Sequence, residues 1–274
     1  MTKRVDENDA ARAPTLDLLF SAHDGNVSDK WSLYVSTYER LFAEFRDKPI
    51  RLLEIGTQNG GSLEIWGKYF ANARVIIGCD VNPACATLAF DDERISLVVG
   101  DANSAEVAQQ IEAASPEYDI IIDDGSHKSS DIVRSFATYF RHLSEGGIYV
   151  VEDLHCSYWG AFEGGLHHPY SSLAFFKRLL DVVNSEHWGT ALRRSELLAG
   201  FANVYGVAFD DDVLASIHSI EILNSLCVVR KREAEENVLG PRRVVGRRAA
   251  VDASVMALDG STAEKLDESG NRWA

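Results

Sequence analysis

Two groups of acidic side chains each follow directly after an apolar run and are well suited to chemistry. Asp123 and Asp124 close the first run, with His127 just beyond them, and Glu152 and Asp153 follow the second. In parallel sheets the carboxyl ends of neighbouring strands meet at one edge, where ligands bind. Carboxylates offer oxygen ligands to a hard cation, and an imidazole that titrates near neutral pH can accept a proton. We therefore expect the acids and the histidine to converge.

The segments around these acids predict a strand, a helix and a second strand. The strands are expected at 118–123 and 147–151, and Gly146 and Gly147 predict the turn that ends the helix between them. A crossover of this kind joins neighbouring parallel strands. The apolar residues that recur at helical spacing between the two strands are Ile132, Phe136, Tyr139 and Phe140.

A glycine loop after an earlier strand, EIGTQNGG, is typical of a cofactor site. Glycines let the backbone approach a ligand, and the helix that follows offers unpaired N–H groups. The loop reads G-x-x-x-G-G, so the dinucleotide fingerprint is absent. Glu54 precedes the loop, where a carboxylate would repel a pyrophosphate but suits the ammonium and sulfonium groups of S-adenosylmethionine. Asp80 and Asp101 end the next two strands, where they can bind a ribose and an adenine amino group.

The remaining pattern predicts one α/β domain at 28–231, after a loosely ordered leader at 1–27 and before an extended tail at 232–274. Its aromatic, glycine-rich stretch at 154–172 is expected to be a long substrate loop. Further helices are predicted at 31–45, from Gly60 onward, at 105–114 and at 173–183, and further strands at 51–55, 74–79, 95–99, 202–208 and 217–229, the last two as an antiparallel pair.

Composition narrows the class of protein. The net charge of −15 disfavours nucleic acid as a partner, because an acidic chain repels phosphate backbones. Four cysteines without C-x-x-C spacing indicate free thiols and a reducing compartment. The charged start lacks the apolar core of a secretory signal, and no apolar run is long enough for a membrane span. A cytoplasmic protein is the expectation.

The motifs EIGTQNGG, CDVNP and VGDANS resemble the first three motifs of class I S-adenosylmethionine-dependent methyltransferases. The resemblance implies an α/β fold, a Rossmann-like doubly wound sheet of seven strands that is mostly parallel with a reversed last strand. The residues that we expect around the cofactor are Glu54, Gly56, Gly60, Ser62, Asp80, Asp101, Ala102 and Asp123.

IDDGSH followed by VVEDLH narrows the resemblance to the metal-dependent sugar O-methyltransferases of macrolide biosynthesis, of the mycinamicin and tylosin type. It covers roughly residues 28 to 230. Carried over to this sequence, it implies magnesium ligands at Asp124, Glu152 and Asp153 and a general base at His127. A divalent cation would lower the barrier to deprotonating a sugar hydroxyl. This family often has a histidine in the helix near residue 34, where this sequence has none.

Several other residues are candidates for smaller roles. Asp123 is expected to be structural or to support its neighbours rather than bind metal. Tyr34 and Tyr38 could wall the cofactor pocket. The residues of the 154–172 loop that could touch a sugar acceptor, or simply belong to the loop, are His155, Tyr158, Trp159, His167 and His168.

These observations predict a magnesium-dependent methyltransferase acting on a sugar hydroxyl of a glycan, a glycolipid or a glycosylated natural product. A homo-oligomer is also compatible with the resemblance. Three alternatives stay open: a phenol or catechol acceptor, a non-catalytic S-adenosylmethionine-binding protein, and, more weakly, a nicotinamide oxidoreductase, which Glu54 and the missing fingerprint disfavour.

Overall fold

The structure is a computed structural model that describes residues 13–272. The helices are α1 (Leu16–Ser21), α2 (Ser32–Phe42), α3 (Gly61–Tyr69), α4 (Ala105–Ala114), α5 (Ser129–Tyr139), α6 (Ser172–Val183), α7 (Arg194–Leu197), α8 (Ala199–Tyr205) and α9 (Asp211–Ala215). The strands are β1 (Arg51–Ile55), β2 (Val75–Asp80), β3 (Ile95–Val99), β4 (Tyr118–Asp123), β5 (Leu143–Val151), β6 (Ile217–Leu223) and β7 (Leu226–Lys231).

The strands form a seven-stranded sheet in the order β3-β2-β1-β4-β5-β7-β6. Strand β1 pairs in parallel with both β2 and β4, and β2 pairs in parallel with β3. Strands β6 and β7 pair antiparallel, with a shift in register between Ile217 and Ser219. This confirms the predicted fold class, including the reversed strand close to the carboxyl end of the domain.

The chain forms two compact units. The first comprises residues up to 127 together with 142–144 and 149–153. Its core forms around the fully buried Trp66 of α3, whose ring meets Tyr38 and Phe42 of α2 edge to face. Tyr38 and Phe42 lie one helical turn apart, so a single face of α2 supplies both rings. The packing fixes α2, and therefore the tyrosines on it, within the first unit.

The second unit comprises residues 128–141, 145–148 and 154–274. Phe175 of α6 is fully buried and contacts Phe136 of α5, Phe201 of α8 and Phe209. Helix α6 begins where the side chain of Ser171 accepts a hydrogen bond from the backbone of Ala174. The tail after residue 231 contains two short 3₁₀ turns and is largely exposed.

The prediction of a strand at 202–208 is wrong. This stretch contains most of α8, because Phe201 and Tyr205 are buried at helical spacing and Gly206, with φ of 66°, ends the helix in the left-handed region. The single strand predicted at 217–229 is instead the hairpin β6–β7, which turns at Ser225 with φ of 68°. Strands β6 and β7 together occupy almost the whole apolar run, so the hydrophobic pattern gave no sign of the turn between them.

Two smaller predictions also change. Gly146 and Gly147 lie inside β5 rather than at the end of the helix, which stops at Tyr139. The predicted leader contains α1, because Thr15 caps its first turn and Leu16 is fully buried; residues 1–12 lie outside the described part. The other predicted helices and strands are confirmed, with ends shifted by up to a few residues.

Candidate active site

A buried lysine lies among three of the predicted site carboxylates, all in the first unit. The ammonium of Lys30 hydrogen-bonds Oδ2 of Asp124, and lies 2.8 Å from Oε1 of Glu152 and 3.4 Å from Oε1 of Glu54. Its side chain is 3% exposed. Sequence reasoning missed Lys30, because the chain carries it just before an amphipathic helix, where lysines are usually solvated.

Burial dominates the electrostatics of these acids. It raises the pKa of Asp124 and of Glu152 each to about 7, although the ammonium of Lys30 opposes the rise. It also raises the pKa of Glu54, again against the opposing charge of Lys30. Burial disfavours the ammonium itself, but the charges of Glu152, Asp124 and Glu54 hold the pKa of Lys30 well above its usual range. Three acids thus share one ammonium, and a further cation would be attracted.

Helix α2 supplies two hydroxyl donors to the acids that follow β5. The hydroxyl of Tyr38 donates to Oε1 of Glu152 at 2.5 Å, and that of Tyr34 donates to Oδ1 of Asp153 at 2.9 Å. The indole N–H of Trp31 donates to the same Oδ1 at 3.0 Å. Tyr34 and Tyr38 are four residues apart and so face the same way. Both tyrosines therefore bind acids, rather than forming only the walls of a cofactor pocket.

These contacts share a pattern. In each of the three predicted metal ligands, one carboxylate oxygen is bound by donor side chains from the segment 30–38. These oxygens are Oδ2 of Asp124, Oε1 of Glu152 and Oδ1 of Asp153. A carboxylate held at one oxygen has a fixed plane, which aims the other oxygen. The arrangement therefore orients three acids through one short segment of chain.

His127 lies beside the outer acids. Its Nε2 is 3.7 Å from Oδ2 of Asp153, and each of Asp124, His127 and Asp153 offers a ligand atom within 4.8 Å of the others. His127 and Asp153 both have positive φ, 57° and 53°. Residues other than glycine pay of order 1–2 kcal/mol for this conformation, and such strain is concentrated at functional sites.

The donor set fits a hard divalent cation. Ligand atoms on opposite sides of a Mg²⁺ ion lie about 4.2 Å apart, which is compatible with three ligand atoms that all lie within 4.8 Å of one another. Magnesium prefers oxygen ligands, whereas imidazole suits transition metals. Asp124 and Asp153 therefore fit as magnesium ligands, and His127 fits better beside the ion than on it. Glu152 adjoins this group in sequence but its Oε1 faces Lys30 and Tyr38, so only Oε2 could bind a metal.

The residues around Glu54 fit the charged end of S-adenosylmethionine. Ser62 and Trp66 both donate to Oε2 of Glu54, at 2.7 and 3.2 Å. Oε1 of Glu54 and Oγ1 of Thr57 are buried and make no hydrogen bond among the described residues, although the ammonium of Lys30 lies 3.4 Å from this Oε1. Buried polar atoms of this kind usually have a partner, and an ammonium group would supply one for Oε1. Ser62, predicted to touch the cofactor, donates to Glu54 in the structure.

The glycine loop is shaped by neighbouring backbone. A side chain at Gly56, with φ of 96°, would lie 2.0 Å from the carbonyl oxygen of Asp124. Gly60, with φ of 83°, precedes α3 and leaves no room for a β-carbon beside Phe90. Glycine is therefore required at both positions by packing as well as by any ligand.

Asp80 and Asp101 lie at the ends of β2 and β3, as predicted. Asp80 accepts hydrogen bonds from the backbone of Gln58 at 2.7 Å and of Asn82 at 2.8 Å, and Asp101 accepts from Asn103 at 2.9 Å. A carboxylate has about four acceptor positions, so Asp80 retains capacity for ribose hydroxyls. The neighbouring Ala102 is buried.

Asp123 has the structural surroundings that we expected of it. It is 4% exposed, and its Oδ2 accepts a hydrogen bond from Tyr149 at 3.3 Å. Its backbone carbonyl accepts from the N–H of Glu152 at 2.9 Å, which ties the ends of β4 and β5 together. Asp123 therefore helps to align the acids that follow it.

The candidates in the 154–172 stretch belong to the second unit. His155 lies 2.5 Å from the hydroxyl of Ser225 and packs edge to face on Trp159. His168 accepts from the backbone of Tyr170, and His167 is exposed. Tyr158 and Trp159 are both about half exposed. These contacts anchor the loop and leave the aromatic faces accessible.

Comparison with known proteins finds similarity to methyltransferases. Residues 53–154 match a protein family described as a methyltransferase domain. The chain is 36% identical over 193 residues to the 8-demethyl-8-alpha-L-rhamnosyl tetracenomycin-C 2'-O-methyltransferase of Streptomyces olivaceus, which covers 62% of this chain and 50% of that protein. It is 37% identical over 187 residues to the demethylmacrocin O-methyltransferase of Streptomyces fradiae, covering 63% and 45%.

Among solved structures, the MycE methyltransferase of the mycinamycin pathway, in complex with Mg and SAH, superposes with a TM-score of 0.69 at 27% identity. The match covers 92% of this chain and 61% of that one. These findings confirm the resemblance that the motifs predicted. The chain spans about half the length of the curated relatives it matches.

Proposed function

We propose that this chain, which has the fold and motifs of a class I S-adenosylmethionine-dependent methyltransferase, transfers a methyl group to a sugar hydroxyl with the help of magnesium. The acceptor would be a glycan, a glycolipid or a glycosylated natural product. The observation that carries the proposal is the convergence of Asp124, Asp153 and His127 beside oriented carboxylates in the first unit. The part of the chain that the structure describes has no helix long and apolar enough to cross a membrane.

In this proposal the cofactor lies between the glycine loop and the ends of β1 to β3. Glu54 would bind the amino group through Oε1, a buried oxygen that makes no hydrogen bond among the described residues and has the ammonium of Lys30 at 3.4 Å. Asp80 would bind the ribose, and Asp101 with Ala102 would contact the adenine. Gly56 and Gly60 would keep the loop close to the ligand. Ser62 and Asp123 would act indirectly, by holding Glu54 and the strand ends.

The metal ligands in this proposal are Asp124, Glu152 and Asp153. Each would bind the metal through its second carboxylate oxygen, rather than the one that the donor side chains of the segment 30–38 contact. A bound divalent cation would supply charge that makes a sugar hydroxyl easier to deprotonate. His127 would accept the hydroxyl proton at Nε2, a step worth roughly 10²–10⁴ in rate. The oxygen then forms a bond to the methyl carbon as the carbon–sulfur bond breaks, which leaves S-adenosylhomocysteine. Trp31, whose N–H is fixed by Asp153, would position the acceptor.

The relatives support a sugar acceptor. The two curated proteins named above are O-methyltransferases, and one is named for a rhamnosyl tetracenomycin substrate. The structure of MycE was also determined with Mg, SAH and mycinamycin VI. The absence of a nucleic-acid partner stays a prediction, which rests on the net charge of −15. Homo-oligomerisation and a cytoplasmic location stay predictions.

The direct test is methyl transfer from isotopically labelled S-adenosylmethionine, followed by mass spectrometry of the product. Metal-stripped protein would be given rhamnosides and other deoxysugar glycosides, with and without magnesium, next to a matched panel of catechols. We expect magnesium-dependent transfer to a sugar hydroxyl, lost in Glu152→Ala. Transfer to catechols alone would favour the alternative acceptor, and cofactor binding without transfer to either panel would favour a non-catalytic role.

A further inference from the structure

Lys30 contacts three acids of the site, yet it has no part in the methyl transfer outlined above. Its ammonium is almost fully buried and touches the acids on their inner side, through Oδ2 of Asp124 and Oε1 of Glu152, with Oε1 of Glu54 nearby. Asp153 and His127 form a second group with Asp124, in which each residue offers a ligand atom within 4.8 Å of the others. The acid cluster is thus divided into an inner part around Lys30 and an outer part at Asp124, Asp153 and His127.

We propose that Lys30 is a resident cation that fills the inner part of the acid cluster and so confines a divalent metal to the outer part. The inference deepens the proposed function and rests on it. It makes Lys30 a positioning residue rather than a catalytic one. Its contribution is to decide where in a strongly acidic cluster the metal is held.

The chemistry of an ammonium suits this role. Lysine presents a compact charge with three donors, and the inner part offers three carboxylate oxygens within 3.4 Å. A buried set of three charged carboxylates without a cation would be strongly unfavourable, so without Lys30 the acids would have to bind protons or another positive charge. A lysine supplies that charge permanently, whereas a metal ion would be exchangeable.

The placement has a consequence for the reaction. Of the three acids around Lys30, only Asp124 belongs to the group of ligand atoms that includes His127, the proposed base, so a metal ion held by the inner part would share a single acid with that group. With Lys30 in place, the negative charge that still attracts a metal ion lies on the outer carboxylate oxygens, beside His127 and Asp153.

The test counts the divalent ions bound by EDTA-treated protein, with Mn²⁺ as the probe in equilibrium dialysis. We expect Lys30→Met to bind one additional equivalent of Mn²⁺, or the same number of ions about tenfold more tightly. The reason is that the removed positive charge lies 2.8 Å from Oε1 of Glu152, a proposed metal ligand. Turnover should fall in the same variant. A residue that only supported the fold would instead weaken both metal binding and turnover.

Two matched controls isolate the charge. Tyr38→Phe removes a donor from the same Oε1 of Glu152 without changing charge, and should bind no additional ion. Lys68→Met removes the same charge from an exposed position on α3, and should match the wild type in ion count and turnover. Unchanged Mn²⁺ number and affinity in Lys30→Met would overturn the proposal, as would an additional ion in both control variants.

If Lys30→Met does not fold, the paired variant Lys30→Met with Glu152→Gln decides the matter. It removes one charge of each sign, so the proposal expects it to fold, and failure of the pair would contradict the resident-cation role. The count also separates this inference from the proposed function. A wild type that binds no Mn²⁺, with Lys30→Met binding one, would refute metal-dependent catalysis while supporting the role of Lys30.

Discussion

Acidic side chains end several strands of the first unit, and two groups of them occupy opposite surroundings. Glu54, Asp124 and Glu152 gather around one buried ammonium. Asp80 and Asp101 end β2 and β3 near solvent, where backbone N–H groups of the following turns bind them. Acidic residues at the ends of strands therefore form two different groups. We call Glu54, Asp124 and Glu152 the core acids, and Asp80 and Asp101 the rim acids.

The difference indicates a division of labour. Buried carboxylates that share one ammonium attract cations strongly, because low dielectric surroundings strengthen charge interactions. Carboxylates at the rim interact weakly with ions but remain good hydrogen-bond acceptors for hydroxyls. We expect the core acids to govern metal binding and turnover, and the rim acids to govern affinity for the cofactor.

The largest expected effect is on the core. Asp124→Ala should lower turnover by about 10³-fold or more, since it removes a metal ligand and the loss of metal catalysis is worth several kcal/mol. Affinity for S-adenosylhomocysteine, measured by calorimetry, should change less than about threefold. Equal losses of turnover and of affinity for S-adenosylhomocysteine in this variant would show that the core and rim acids do not have separate roles.

A second prediction concerns pH in the metal-free protein. The folded-state pKa of Glu152 is raised to about 7, chiefly by burial, so the folded state binds its proton more tightly than the unfolded state does. The free energy of unfolding should therefore fall as pH rises from about 4 to about 7. Lys30, Tyr38 and Asp124 face this carboxyl, and Lys30 limits the fall.

The check is thermal unfolding of EDTA-treated protein across that pH range, with Glu152→Gln as the reference. The variant lacks the titrating group, so its unfolding temperature should decline less than that of the wild type. Magnesium should oppose the decline in the wild type, because the metal requires the deprotonated carboxylates. Parallel pH profiles for the two proteins would refute the burial of an ionisable Glu152.

Substitution of the rim acids should weaken cofactor binding and leave magnesium binding unchanged. Asp80→Ala should weaken binding of S-adenosylhomocysteine by about tenfold, the loss of roughly 1.4 kcal/mol expected for hydrogen bonds to a charged acceptor. Asp101→Ala should have a smaller effect, since that side chain is exposed. Magnesium binding, followed in the same calorimeter, should be unaffected by either change. A loss of magnesium binding in Asp80→Ala would contradict the division.

The smallest effect is expected at the exposed tryptophans. Trp31 is 60% exposed, and its N–H is fixed by Asp153. Trp31→Phe should raise KM for a sugar acceptor a few-fold, the loss of stacking and of one hydrogen bond, with little change in cofactor affinity. Trp159→Phe in the second unit provides the comparison for the predicted substrate loop. Unchanged KM in both variants would exclude both rings from acceptor binding.

Most of the first unit was predictable because its signals are local. Strands such as β1 and β4 are uninterrupted apolar runs, and each ends in the acids that the motifs contain. The stretch at 202–208 was misjudged because a short run that alternates apolar and small residues has no clear period, and the helix depends on packing of Phe201 and Tyr205. The hairpin β6–β7 lacked a glycine at its turn.

The candidate site was predictable only in part. Acids at strand ends follow from topology, so Asp124, Glu152 and Asp153 could be named from the sequence. The contacts of Lys30, Trp31 and the two tyrosines of α2 with these acids could not be predicted, because they join residues about 90 to 120 positions apart. The absence of a histidine in α2 weakened the resemblance to the family in that region, where the structure shows tyrosine hydroxyls that bind the acids directly.

The most direct test of the account is calorimetry on EDTA-treated wild-type protein, titrated with S-adenosylhomocysteine and with magnesium, each alone and in the presence of the other. The account predicts a cofactor site that binds without metal and a separate magnesium site that disappears in Asp124→Ala. Binding of neither ligand would contradict the reading of the glycine loop and of the acid cluster. Cofactor binding without a magnesium site in the wild type would refute metal-dependent transfer and leave His127 to act alone.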